Sequence, residues 1–166
     1  MAERIVTNAG PLIALARIGR LDLLPKLFAE IIVPLPVVEE CTAFPRKQGA
    51  AAIAQAVKDR VFTLQTVKGL AVADAPPSLG IGELAAIELA SQLNLPVLLD
   101  DKLGRAFASH CGVVVIGLGG LLIAAKRAGH IAAVAPLLDR LRDADYRLSQ
   151  ELIKTILQRC NEAVEQ

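Results

Sequence analysis

Four carboxylates and one amide in this chain have the type and placement to do chemistry. Asp100 and Asp101 stand side by side directly after the apolar run Val97-Leu98-Leu99, and Glu83 lies in the stretch before it, GIGELAAIELA. Glu40 follows Ile31-Ile32-Val33 by a helical turn or two, and Asn8 closes the run Arg4 to Thr7. Apolar runs of this length read as buried strands of a parallel sheet, and open α/β folds place their sites beyond the carboxyl ends of such strands. Carboxylates delivered there are hard oxygen donors, the set that a divalent cation takes.

Each residue also has an ordinary reading. One Asp at a strand-to-helix turn caps the helix; two in succession after a wholly apolar strand exceed what capping needs, and both readings stay open. Glu83, in the first turn of its helix, complements the helix dipole by roughly 0.3–1 kcal/mol. Glu39 and Glu40 default to the surface, and Asn8 suits a turn. Asn8 nevertheless ends the strand expected at the centre of the sheet, where its side chain offers a neutral oxygen. Gly117-Leu118-Gly119-Gly120 lacks the third glycine of a dinucleotide fingerprint, Leu122 standing in that place, so turn geometry and close packing explain it better. Lys102, Arg105, Lys126 and Arg127 are candidate phosphate contacts or simply the wet side of helices. His110 and His130 have no zinc-site spacing.

The elements that position these residues alternate. Strands are expected at Arg4–Thr7, Glu30–Val33, Val61–Val67, Val97–Leu99 and Val113–Ile116. Helices are expected from Pro11, over 21–28, after Pro34, over 50–58, from Glu83, over 102–111 and over 121–128. From there the pattern changes to two helices, 132–141 and 149–164, with no strand between them, Ser149 capping the second. Alternating strands and helices imply a parallel sheet covered on both faces.

Composition bounds the rest. The chain has 166 residues, 54% of them hydrophobic, which suits one domain over 1–166 whose terminal helices, 129–166, pack on the body. Aromatics are only 3% and the net charge is +1, so nucleic-acid binding would rest on a local patch rather than on global attraction or a broad stacking surface. Three scattered cysteines argue against a disulfide framework and for a reducing, cytoplasmic setting. The longest uncharged run, Cys111 to Ala125, is short of the roughly 18–20 apolar residues of a membrane span, so no membrane partner is expected.

The segments IVTNAGPLIALARIGRLDLLPKLF, IIVPLPVVEEC, GIGELAAIELA, VLLDDKLGRAFA and VVVIGLGGLLIAAKRAG occur in this order between Ile5 and Gly129. In them the chain resembles a PIN domain, of the compact prokaryotic kind related to toxins of toxin–antitoxin pairs. The resemblance implies a three-layer α/β/α fold around a parallel sheet of about five strands, and a ribonuclease that uses Mg2+ or Mn2+ to cut single-stranded RNA. It puts the acidic site at Asn8, Glu40, Glu83 and Asp100 or Asp101. Glu83, Asp100, Asp101 and Asn8 would hold the metal, Glu40 would assist, and Arg105 and Lys126 would contact substrate. It also implies a protein antitoxin; the high apolar content and the helical tail would serve a homodimer. One position departs from the pattern: where most relatives carry Asp followed by Thr or Ser, this chain has Asn8-Ala9-Gly10. The amide removes a charge, so a weakened or inactive module that binds nucleic acid or protein is the alternative.

Overall fold

Alternation along the strands divides the interior into two cores. Ile5, Ile31, Val33 and Leu98 face one cluster of buried side chains, while Val6, Ile32, Val97 and Leu99 face another. A strand apolar on both sides belongs in the middle of a parallel sheet, with helices on each face. The computed structural model describes residues 3–69 and 74–164. In it β1 (Arg4–Thr7), β2 (Glu30–Pro34), β3 (Thr63–Gln65), β4 (Val97–Leu98) and β5 (Val115–Ile116) form one five-stranded sheet, ordered β3-β2-β1-β4-β5. Every pairing is parallel, with Val6 opposite both Ile32 and Val97. The chain builds outward from β1 on one side and then returns to build from β4 on the other. The crevice beyond β1 and β4 is therefore the switch point where such sheets bind ligands.

Nine helices lie among the described residues: α1 (Ala9–Arg17), α2 (Leu23–Leu27), α3 (Leu35–Thr42), α4 (Ala50–Lys58), α5 (Ile81–Leu93), α6 (Lys102–His110), α7 (Leu118–Arg127), α8 (Ala135–Asp143) and α9 (Gln150–Arg159). The expected α/β/α architecture is present, and the elements differ from expectation mainly at their ends. β3 is shorter than the expected 61–67: among the described residues it is an edge strand paired only with β2, with Thr63 and Leu64 exposed. Ser149 caps α9 by accepting the Leu152 N–H at 3.1 Å, as its type predicts. That helix stops at Arg159, where the chain turns through Asn161 at φ 56°. Among the described residues no helix is long and apolar enough to cross a membrane.

α7 starts at Leu118, three residues before its expected start, so Gly119 and Gly120 lie inside it. The reason is packing. A Cβ on Gly119 would stand 2.9 Å from Ile156 Cδ1 and 3.3 Å from its Cγ1, so the missing side chain lets α9 lie against α7. Ile156 is fully buried and β-branched, and has little room to yield. Gly119→Ala should lose about 1–3 kcal/mol to overpacking, more than the ~1 kcal/mol alanine gains over glycine within a helix. The expected outcome is a melting temperature a few degrees lower by calorimetry.

Candidate active site

The end of β1 and the start of α1 meet at Asn8. Its N–H donates to Leu98 O across the sheet at 3.0 Å, and the Thr7 hydroxyl donates to its carbonyl at 3.1 Å. Asn8 holds the N-cap position of α1, yet its side chain makes no capping bond. The residue is 6% exposed, and among the described residues its Oδ1 has no hydrogen-bond partner. An orphaned buried amide oxygen costs about 1–3 kcal/mol. Turn-forming preference, the ordinary reading of this residue, does not account for it.

Asn8 lines a cavity of about 270 Å³ together with Glu40, Glu83, Asp100, Asp101 and Tyr146. Each acid arrives by a different route. Asp101 caps α6, its Oδ2 accepting the Gly104 N–H at 2.7 Å. Asp100 reaches across to the start of α7 and accepts the Leu118 N–H at 3.0 Å. That reach depends on Gly117, where a Cβ would stand 2.9 Å from Asp100 Oδ1. Glu83 reaches back to the head of α5, its Oε2 accepting the Gly80 N–H at 3.0 Å; the cap is one-sided, because Gly80 has no side chain to return it. Glu40 comes from α3, and Gly82 of α5 leaves it space: a Cβ on Gly82 would stand 2.7 Å from Glu40 Oε2. Capping thus explains one oxygen each of Asp101 and Glu83, and among the described residues the other accepts no hydrogen bond.

The cavity carries an electrostatic conflict. Burial pushes the Glu83 carboxyl above its ordinary range, the Gly80 N–H acts the other way, and the charges of Asp101 and Glu40 add to the rise. Among the described residues, no three Asp, Glu, His or Cys side chains are gathered closely enough to enclose a metal ion. The tight cage expected from the sequence is therefore not drawn in: Asp101 and Glu83 are each held by one oxygen at a helix start, and Asp100 by both, through the Leu118 N–H and the Tyr146 hydroxyl. The donors are nonetheless all oxygen, Asp101 and Glu40 add to the cost of ionising Glu83, and a buried amide oxygen beside them lacks a partner among the described residues. That set fits a hard divalent cation.

Arg105 lies beside this cavity rather than in it. It lines an adjoining hollow of about 320 Å³ that shares Asp100 and includes Gly117. Lys126, the other expected substrate contact, is not brought to the site. It sits in the last turn of α7, the opposite end from Asp100, and its ammonium pairs with Glu162 at 2.7 Å. The same carboxylate accepts the Val134 and Ala135 N–H groups, so Glu162 ties the last turn of α7, through Lys126, to the start of α8. The sequence reading missed Tyr146. Its hydroxyl donates to Asp100 Oδ2, and burial, then the Asp100 charge, push it upward so that it stays a protonated donor. It follows α8 in a short irregular segment, where no periodicity marks a residue as facing a site.

A family model for the PIN domain matches residues 4–162. Among solved structures, the chain is similar to a PilT N-terminus domain protein from the hyperthermophilic archaeon Sulfolobus solfataricus. The two are 18% identical, with 73% of this chain and 92% of that one covered at a TM-score of 0.49. No curated protein matches the chain.

Proposed function

The chain belongs to the PIN domain family, and from that premise we propose that it is a metal-dependent ribonuclease that cuts single-stranded RNA internally. Members of the family are typically nucleases and generally use divalent metal ions. The observation that carries the reading here is the convergence of Glu40, Glu83, Asp100, Asp101 and the unpartnered Asn8 on one cavity at the switch point of the sheet. Glu83, Asp100 and Asp101, with Asn8, would hold Mg2+ or Mn2+, and Glu40 would support them from α3. A bound divalent ion makes water a better nucleophile near neutral pH and neutralises charge developing on a phosphodiester.

The protein's own groups supply position. The Leu118 N–H and Tyr146 hydroxyl fix Asp100, and the α6 cap fixes Asp101. Arg105, next to Asp100, offers a fixed positive charge to the RNA backbone. Incubating the protein with end-labelled single-stranded RNA and Mn2+ or Mg2+, beside a chelator control, tests this reading. Metal-dependent internal cleavage is expected. A chain that binds RNA but never cuts it, under either metal, supports the second reading, a binding module silenced at Asn8; the amide in place of an acid is what favours that alternative. The family reading extends to a protein antitoxin, and the apolar content and terminal helices to a homodimer; size measurement in solution with and without a co-expressed partner tests both.

Gly82→Ala separates activity from stability. The new methyl meets only the end of the exposed Glu40 side chain and, at an ordinary 3.5 Å, Val37 Cγ2. The carboxylate can swing away at little cost, and alanine gains up to ~1 kcal/mol over glycine in a helix. The melting temperature should hold or rise. Metal-dependent cleavage should fall about 10-fold, the scale on which disturbing a supporting group acts.

A further inference from the structure

A second cavity, of about 310 Å³, adjoins the acidic one and shares Ile13 and Glu40 with it. Its remaining wall includes Arg17, Cys41, Phe44 and Lys47. Phe44 is 63% exposed and is the one aromatic among the exposed large apolar residues described. The Lys47 ammonium sits 5.0 Å from its ring centroid. Among the described residues, none of Arg17, Arg46 and Lys47 pairs with a carboxylate. A lone exposed apolar residue is ordinary. An exposed ring stacked with a cation, in a cleft that opens onto a site for phosphodiester chemistry, has a more specific fit.

The loop that carries Phe44 is pinned. Arg17 donates to Gln48 O at 3.5 Å and to Ala144 O at 3.3 Å, and the Gln48 amide donates back to Arg17 O at 3.4 Å. Gly49, at φ 92°, brings the loop against α1, where a Cβ would stand 3.0 Å from Ala16 Cβ. The Lys47 N–H closes the turn onto Phe44 O at 2.9 Å. Arg17 and Gln48 also line a third hollow, which contains Arg140. Arg17 thus joins the Phe44 cleft to a hollow that holds Arg140 beside Asp143, and Arg105 lines the hollow that shares Asp100 with the acidic cavity.

We infer that Phe44, with Lys47 and Arg17, forms a subsite for one unpaired nucleotide next to the cut phosphodiester, the base stacking on the ring and the phosphate meeting the cations. This rests on the nuclease reading for its placement, but its chemistry is separate. Stacking on a single ring is sequence-tolerant and requires an unpaired base, which selects single strands over duplexes in a chain otherwise poor in aromatics.

The chain contains no tryptophan, so Phe44→Trp installs a single reporter at the platform. In chelator, a short single-stranded RNA should quench its emission, and an abasic strand of equal length and charge should not. Phe44→Ala and Phe44→Leu should each weaken RNA binding about 10-fold, the scale of losing one stacked base, measured by anisotropy in the same chelator. Equal quenching by both strands overturns the subsite. So does full RNA affinity in Phe44→Ala, which would leave the ring to a protein partner. Base-dependent quenching without cleavage on adding Mn2+ keeps the subsite and defeats the nuclease reading; cleavage without base-dependent quenching does the reverse.

Discussion

Glu83→Gln is expected to lower metal-dependent cleavage by at least about 100-fold, the upper end of what loss of a merely supporting group costs a metal site, while leaving the fold at least as stable as the parent. The two halves have separate causes. Glutamine keeps the reach back to the Gly80 N–H, because its amide oxygen accepts where the carboxylate did, so the head of α5 should survive. What it removes is the charge that burial, Asp101 and Glu40 make costly.

The sign of the pH dependence follows from the same rise. A carboxyl whose folded pKa lies above its ordinary 4.5 favours the fold fully below that value. It loses that contribution as pH climbs through the raised pKa. Melted in chelator, the parent and Glu83→Gln should therefore agree near pH 4, with the variant gaining toward pH 7. Mn2+ should raise the parent's melting temperature, as any ligand of the native state does, and should leave the variant nearly unmoved. Cleavage that persists in both Glu83→Gln and Asp101→Asn would place the chemistry outside this cavity.

What could be read from the chain before its structure divides along physical lines. The strands were legible because Ile5-Val6, Ile31-Ile32-Val33 and Val97-Leu98 are apolar on consecutive positions, a pattern only a doubly covered parallel strand tolerates. Asp100 and Asp101 were legible because so apolar a run must hand its next residues to the sheet edge. Gly119 misled the estimate of where α7 starts: glycine signals a break by local propensity, and here its selection comes from α9, some 37 positions later in the chain, through Ile156. Lys126 was assigned to substrate on charge alone, and its partner Glu162 lies 36 positions away in sequence. Tyr146 left no trace at all, since its role is a single long-range hydrogen bond from a segment without periodicity. Local pattern specifies elements; it cannot report contacts that only tertiary packing creates.

Asn8→Asp should act most strongly on stability and in opposite directions with and without metal. In chelator it sets a further negative charge, nearly buried, in a cavity where Glu83 already resists ionisation. An unpaired buried charge costs on the order of 3 kcal/mol, and for a chain of this length that lowers the melting temperature by roughly 10 °C. A divalent cation reverses the balance, because a carboxylate in place of an orphaned amide oxygen is a charged ligand the ion can use. At 100-fold excess over its dissociation constant the ion returns about 2.7 kcal/mol, so most of the lost stability should reappear on titrating Mn2+, and cleavage should exceed the parent's. The comparison is a pair of melting curves, with chelator and with Mn2+, for parent and variant. Should the variant melt with the parent in chelator and bind Mn2+ no more tightly, Asn8 does not share the field of the acids. The amide would then be irrelevant to whether this site cuts or only binds.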